Sequence, residues 1–132
     1  MPVIDASVVV EFLRSSDPAE RIDARLADEE HTLWAPHLID AEVGHALRRE
    51  VRLGRMKSGA AEVALGELND LPLRRIEHES LILFAWDLRD NFSFYDALYV
   101  ALALMLEEPL LTYDARLARS GADLPIEVLG QA

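Results

Sequence analysis

Residues 92–106, FSFYDALYVALALML, are apolar on every side and hold one formal charge, Asp96. An amphipathic helix buries one stripe, whereas a helix that is apolar all round must be surrounded by protein. Ser93 has the chemistry of an N-cap, with the helix starting at Phe94 and Asp96 three residues past the cap. The stretch therefore predicts the buried central helix of a domain. It is too short to span a membrane, which takes about 20 apolar residues. A carboxylate at the mouth of such a helix is costly unless something compensates it. Either Asp96 belongs to the cap and faces the positive end of the helix, or it faces a metal ion. The choice turns on whether other carboxylates occupy matching positions.

Composition narrows the classes. A length of 132 residues suits one domain, 1–132, with a proper core. A hydrophobic share of 51% argues against disorder. The start, MPVIDAS, lacks the basic residues and apolar run of a signal peptide, and no other segment reads as transmembrane. A soluble cytoplasmic protein, with no membrane partner, is the expectation. The absence of cysteine excludes disulfides and thiolate metal sites. The net charge of −11 disfavours non-specific attraction to nucleic acid. Five of the 13 basic residues nevertheless fall in RREVRLGRMK, residues 48–57. Arg48, Arg49, Arg52 and Arg55 are thus candidate phosphate contacts, and equally a solvated helix end with cations at its negative pole.

Strand and helix signals alternate along the chain. Val3 and Ile4 read as a very short buried strand ending at Asp5, and Ser7 opens the apolar helix VVVEFL. Asp17-Pro18-Ala19-Glu20 is a helix start, with Ile22 and Leu26 as its stripe. Residues 32–35 are a strand candidate closed by Pro36. Residues 37–53 have helical periodicity, with Leu38, Ile39, Val43, Ala46 and Leu47 on one arc. Glu42 lies inside that arc, Asp40 and His45 outside it, and Gly54 can end the helix. Residues 58–71 predict a helix with Val63, Leu65 and Leu68 in the core. Residues 72–76 predict a strand, and 79–89 a helix through Leu81, Leu83, Phe84 and Leu88. Pro109 stops the central helix, Leu110-Leu111-Thr112 is a buried strand, residues 115–119 a short helix and 126–129 a last strand. This alternation argues for a parallel sheet covered on both faces, with ligands gathering at the carboxyl ends of its strands.

Four acids share one property. Asp5 ends the first strand, Glu42 sits within the apolar arc of its helix, Asp96 opens the buried helix, and Asp114 follows the strand ending at Thr112. Carboxylates that converge without a cation raise one another's pKa values. A divalent ion removes that problem, and an all-oxygen site suits magnesium or manganese better than zinc. The four histidines show no ligand spacing. Ser7 and Thr112, each two residues from one of these acids, can hold carboxylates in place, or can make local backbone bonds instead. A carboxylate-held magnesium activates water and compensates a phosphodiester's charge without a basic side chain.

These residues also carry a resemblance. VIDASVVVEFL, PHLIDAEVGHALRR, FYDALYVALA and LLTYDARLA, in that order, resemble the PIN-domain ribonucleases, and most of all the VapC-like toxins of toxin–antitoxin pairs. The resemblance implies a three-layer α/β/α PIN-like domain with a short central parallel sheet. It implies that Asp5, Glu42, Asp96 and Asp114 are catalytic and bind Mg2+ or Mn2+. It further implies cleavage of RNA, a homodimer, and a cognate antitoxin that covers the site. One departure concerns a second metal: some members carry another acid shortly after the fourth, where this chain has Ala115, Arg116 and Leu117.

Other classes fit less well. A receiver domain needs paired acids after its first strand and a late lysine, but Asp5 stands alone and Lys57 is the one lysine. A haloacid-dehalogenase-like phosphatase needs DxD where this chain has DAS. No glycine-rich turn supports dinucleotide binding. A non-catalytic PIN-fold binding module stays open as the alternative.

Overall fold

The computed structural model describes residues 1–14 and 32–130. The helix expected from Asp17 onward lies outside them. Five short strands form one parallel sheet in the order β3-β2-β1-β4-β5. They are β1 Val3–Ile4, β2 Leu33–Pro36, β3 Leu73–Ile76, β4 Leu110–Thr112 and β5 Ile126–Val128. Val3 pairs with Trp34 on one side and Leu110 on the other, and Ile4 pairs with Leu111. The chain therefore moves outward from β1 to β3, then returns to the opposite side of β1 as β4. This reversal creates a switch point between β1 and β4. Asp5 and Asp114 follow the carboxyl ends of those two strands.

Among the described residues, six α-helices complete three layers. They are α1 Ala6–Arg14, α2 Leu38–Arg52, α3 Ser58–Asp70, α4 Ile82–Asp87, α5 Phe94–Leu106 and α6 Ala115–Ser120. Helices α1, α2 and α3 pack on one another, while α4 packs on α5, which crosses β2, β1 and β4. Helix α5 is the buried centre expected of it: Ala97 to Ala103 are all buried. The Ser93 hydroxyl accepts the Asp96 N–H at 3.1 Å and caps it. At the other end Glu107 turns left-handed at φ 56° and the Glu108 N–H reaches back to the Ala103 carbonyl, closing the helix before Pro109. Gly54, at φ 75°, does the same for α2 without the cost of a Cβ. No helix among the described residues is long and apolar enough to cross a membrane.

Two packing expectations need correction. In α3 the buried residues are Ala61, Ala64 and Leu68, while Val63 and Leu65 are exposed. Small side chains at i and i+3, Ala61 and Ala64, let this helix approach α1 and α2 closely, which outweighs the greater hydrophobicity of Val63 and Leu65. In the 79–89 segment Leu81 is fully buried, but Leu83 is 81% exposed. A 3-10 turn over His78–Ser80 precedes α4; the inward stripe is Leu81, Ala85 and Leu88 at i, i+4 and i+7, and Leu83, two positions from Leu81, falls on the opposite face.

The start of α2 has an unexpected cap. The Leu38 N–H donates to Nε2 of His78, 40 residues later, at 2.9 Å. An imidazole accepts only through an unprotonated nitrogen, so this bond places the ring proton on Nδ1. The contact pins the amino end of the helix that carries Glu42 to the segment after β3. His78→Ala should lower the unfolding free energy by about 1–2 kcal/mol in urea titration. His78→Gln, which retains an acceptor, should recover part of that loss. Equal stability of wild type and His78→Ala would show that the bond contributes nothing.

Candidate active site

The site is built outward from Asp5. Its carboxylate is buried, with 9% of the residue exposed. Ser7 at the start of α1 donates its hydroxyl to Oδ1 at 2.6 Å, and the Val8 N–H reaches the same oxygen at 3.3 Å. The Thr112 hydroxyl, at the end of β4, donates to Oδ2 in a short hydrogen bond. Burial pushes the pKa of Asp5 up, and these bonds pull it back only in part. Both hydroxyls also accept: Ser7 from the Tyr113 N–H and Thr112 from the Asp114 N–H, each at 3.0 Å. The loop carrying Asp114 is thereby tied to Asp5 through two side chains.

The other acids arrive from the helices. Glu42 is half-buried on the inner arc of α2 and accepts the Tyr99 hydroxyl at 2.6 Å. Burial raises its pKa, the Tyr99 bond lowers it, and the charges of Asp96 and Asp5 raise it further. Burial also raises Asp96; the Ser93 hydrogen bond and the positive charge of Arg116 lower it, and Asp114 raises it. Tyr99 is held protonated by burial and by Glu42, Asp5 and Asp96 around it. Asp114 caps α6, taking the Arg116 N–H at 2.9 Å on one oxygen and the Arg116 guanidinium at 3.3 Å on the other. Asp40, expected outside the apolar arc, pairs instead with Arg75 of β3 at 2.7 Å.

The residue model of the PIN domain matches residues 3–122. The chain belongs to the PIN domain family. It is 47% identical over 127 residues to Ribonuclease VapC1 of Mycobacterium tuberculosis, covering 96% of this chain and 94% of that protein. It is 43% identical over 119 residues to Ribonuclease VapC3 of the same organism, covering 89% and 85%. Among solved structures, PAE2754 of Pyrobaculum aerophilum superposes with a TM-score of 0.65 at 26% identity, covering 96% of this chain and 82% of that one. The M. tuberculosis VapC20 toxin, described as cleaving the sarcin-ricin loop, has a TM-score of 0.64 at 18% identity, covering 92% and 95%; that likeness concerns the fold.

Within this PIN domain the four acids form one electrostatic group: Asp5 and Asp96 act on Glu42, and Asp114 acts on Asp96. Among the described residues, no three acidic or histidine side chains stand close enough to hold a metal ion as they are set. In this arrangement Glu42 is engaged by Tyr99 and Asp114 by Arg116. The donor set still suits a hard divalent cation: it is all oxygen and like-charged, and a counter-charge would relieve the raised pKa values of Asp5, Glu42 and Asp96. A groove of about 800 Å³ runs along α2 from Glu42 past His45 and Arg49 to Glu50 and Arg55, with Tyr95 on its wall. Arg48 and Arg52 are exposed on α2 but do not line the groove. Sequence reasoning missed Tyr99 as the partner of Glu42. Its signal was spacing: Tyr99 is three residues after Asp96 and shares its helix face. It also passed over Arg116, noting only that this residue is not an acid.

These shifts set the sign of a pH effect. Asp5, Glu42 and Asp96 have folded pKa values above their unfolded ones. Their favourable contribution is complete below the unfolded values, about 4, and is lost as pH rises through the raised folded values. Metal-free protein should therefore melt higher at mildly acidic pH than at pH 7.5. Asp96→Asn should be at least as stable as wild type at pH 7.5 and show a flatter pH profile. A wild-type melting temperature that falls steadily on mild acidification would contradict the cluster as described.

Proposed function

We propose that this chain is a metal-dependent ribonuclease of the VapC toxin kind, hydrolysing RNA phosphodiester bonds with magnesium, or manganese, held by Asp5, Glu42, Asp96 and Asp114. The observation that supports this reading is the electrostatic influence of Asp5 and Asp96 on Glu42, and of Asp114 on Asp96, in a PIN domain that is 47% identical to a ribonuclease over nearly its whole length. A divalent cation there supplies activation of water and charge compensation for the phosphodiester.

The chain's own residues prepare the site. Ser7, Thr112 and the Val8 N–H fix both oxygens of Asp5, so its orientation is set before any ligand arrives. Tyr99 fixes Glu42, leaving Asp96 and Asp114 as the outer pair. The groove beyond Glu42 offers a path for the RNA strand, with Arg49 and Arg55 as phosphate contacts. Arg55 lies 3.8 Å from Glu50, so part of its charge is already met within the protein. A cognate antitoxin and a homodimer belong to the same reading. For the dimer, Ile82, Leu83 and Trp86 of α4 are exposed apolar residues that a second copy would cover.

The deciding experiment compares wild type with Asp96→Asn. If Asp96 only capped α5, asparagine would serve nearly as well, and cleavage would persist. As a site acid, its loss should reduce magnesium- or manganese-dependent cleavage of total RNA by orders of magnitude. It should also shrink the metal-induced rise in melting temperature. Expression of wild type should slow growth, and co-expressed antitoxin should relieve it; Asp96→Asn should not slow growth. Near-normal cleavage with an unchanged metal shift would remove Asp96 from the site.

The groove makes a separate prediction. Replacing Arg49 and Arg55 with alanine should reduce the slope of log affinity against log salt by about 0.7 for each lost single-strand phosphate contact. Replacing Arg48 and Arg52, outside the groove, should leave the slope unchanged. Equal effects from the two pairs would assign all four to a diffuse surface charge.

A further inference from the structure

Arg116 places a cation beside the acidic site. Arg116 opens the last helix where some PIN domains carry a further acid, and it serves both oxygens of Asp114. Its N–H donates to Oδ1 at 2.9 Å and its Nη2 to Oδ2 at 3.3 Å. Its positive charge is felt at Asp96 as well. The guanidinium thus stands by the outer pair of acids, at the mouth of the cluster, with 76% of the side chain exposed.

Two physical facts bear on what it does there. An exposed ion pair contributes little stability and exchanges readily, so the side-chain contact to Asp114 is easily surrendered. The backbone contact is independent of the side chain and keeps Asp114 capping α6. A guanidinium also presents several N–H donors in a planar fork that matches phosphate oxygens, and Asp114 engages one of its nitrogens. A phosphodiester approaching Asp5, Glu42, Asp96 and Asp114 meets four carboxylates, and a cation at the rim lowers that repulsion.

We propose that Arg116 is the phosphate-receiving residue of the site, and that its guanidinium leaves Asp114 for the substrate phosphodiester when a divalent cation takes that carboxylate. The proposal rests on the ribonuclease reading and adds a role for this chain's own residue. It replaces the picture of an incomplete acid set with a mixed one, in which an arginine occupies the place of the further acid.

Competition for Asp114 gives the test an unusual sign. Arg116→Ala removes a competitor of the metal and a partner of the RNA, so the two affinities should move in opposite directions. Mn2+ binding measured by calorimetry without RNA should tighten about three- to tenfold. Binding of a labelled single-stranded RNA oligomer, measured by fluorescence anisotropy in Ca2+, should weaken about tenfold. Arg116→Lys should restore only part of the RNA affinity, since an ammonium is a point charge without the fork. Arg116→Gln provides a second neutral variant should the alanine protein prove unstable. Unchanged or weaker Mn2+ binding would overturn the competition with metal, and unchanged RNA affinity would overturn the phosphate contact. A role confined to capping α6 would leave both unchanged. Cleavage by wild type and its loss in Asp96→Asn test the ribonuclease reading separately. If wild type binds RNA without cutting it, that reading falls while both Arg116 measurements still stand.

Discussion

A carboxylate buried at the end of the central strand is the constraint on which the rest of this structure depends. Taken out of water, Asp5 needs donors for both oxygens. It finds them on two elements far apart in the chain: the Ser7 hydroxyl and the Val8 N–H in the first turn of α1, and the Thr112 hydroxyl at the end of β4. Ser7 and Thr112 each spend the hydroxyl proton on Asp5 and then accept a backbone N–H from the loop after β4. One buried charge thus aligns β1, α1, β4 and the segment bearing Asp114. A substitution of either hydroxyl would disturb more than the residue it touches, because each bridges two elements.

The remaining acids follow a gradient from inside to outside, each met by a different donor. Tyr99 meets Glu42 from the buried helix, Ser93 meets Asp96 from the cap, and Arg116 meets Asp114 from α6. None of these donors offsets the cost of burial, which raises the pKa values of Asp5, Glu42 and Asp96, and neighbouring carboxylates raise Glu42 and Asp96 further. A fold that gathers like charges in this way sacrifices stability at the site for chemistry. The strained electrostatics and the tight hydrogen bonding are one arrangement: the bonds hold in place what the charges would separate.

Much of this was readable from local pattern. The apolar run 92–106 could only be a buried helix, and α5 is one. Asp5 and Asp114 were recognisable because each follows an apolar strand, and Glu42 because it interrupts an apolar arc. Pattern failed where packing distance, not hydrophobicity, chose the buried face. Ala61 and Ala64 lie inside while Val63 and Leu65 face outward, since a helix wedged against two others needs small contacts. It failed again at Leu83, because the small Ala85, four residues after Leu81, holds the inward position and Leu83 falls on the opposite face. The basic run 48–57 was visible as composition, but only Arg49 and Arg55 of its arginines turn into the groove.

The elements and the candidate acids were legible in local pattern, because apolar periodicity, capping residues and proline act over a few positions. The hydrogen-bond partners of those acids came from the folded arrangement of strands and helices. Which side of β1 receives β4, and therefore that Thr112 reaches Asp5 across 107 positions, is a consequence of strand order. The meeting of Tyr99 with Glu42 and of His78 with the start of α2 likewise joins segments distant in the chain. Hydrogen bonds and charge interactions depend on separation in space, and no local pattern records that separation.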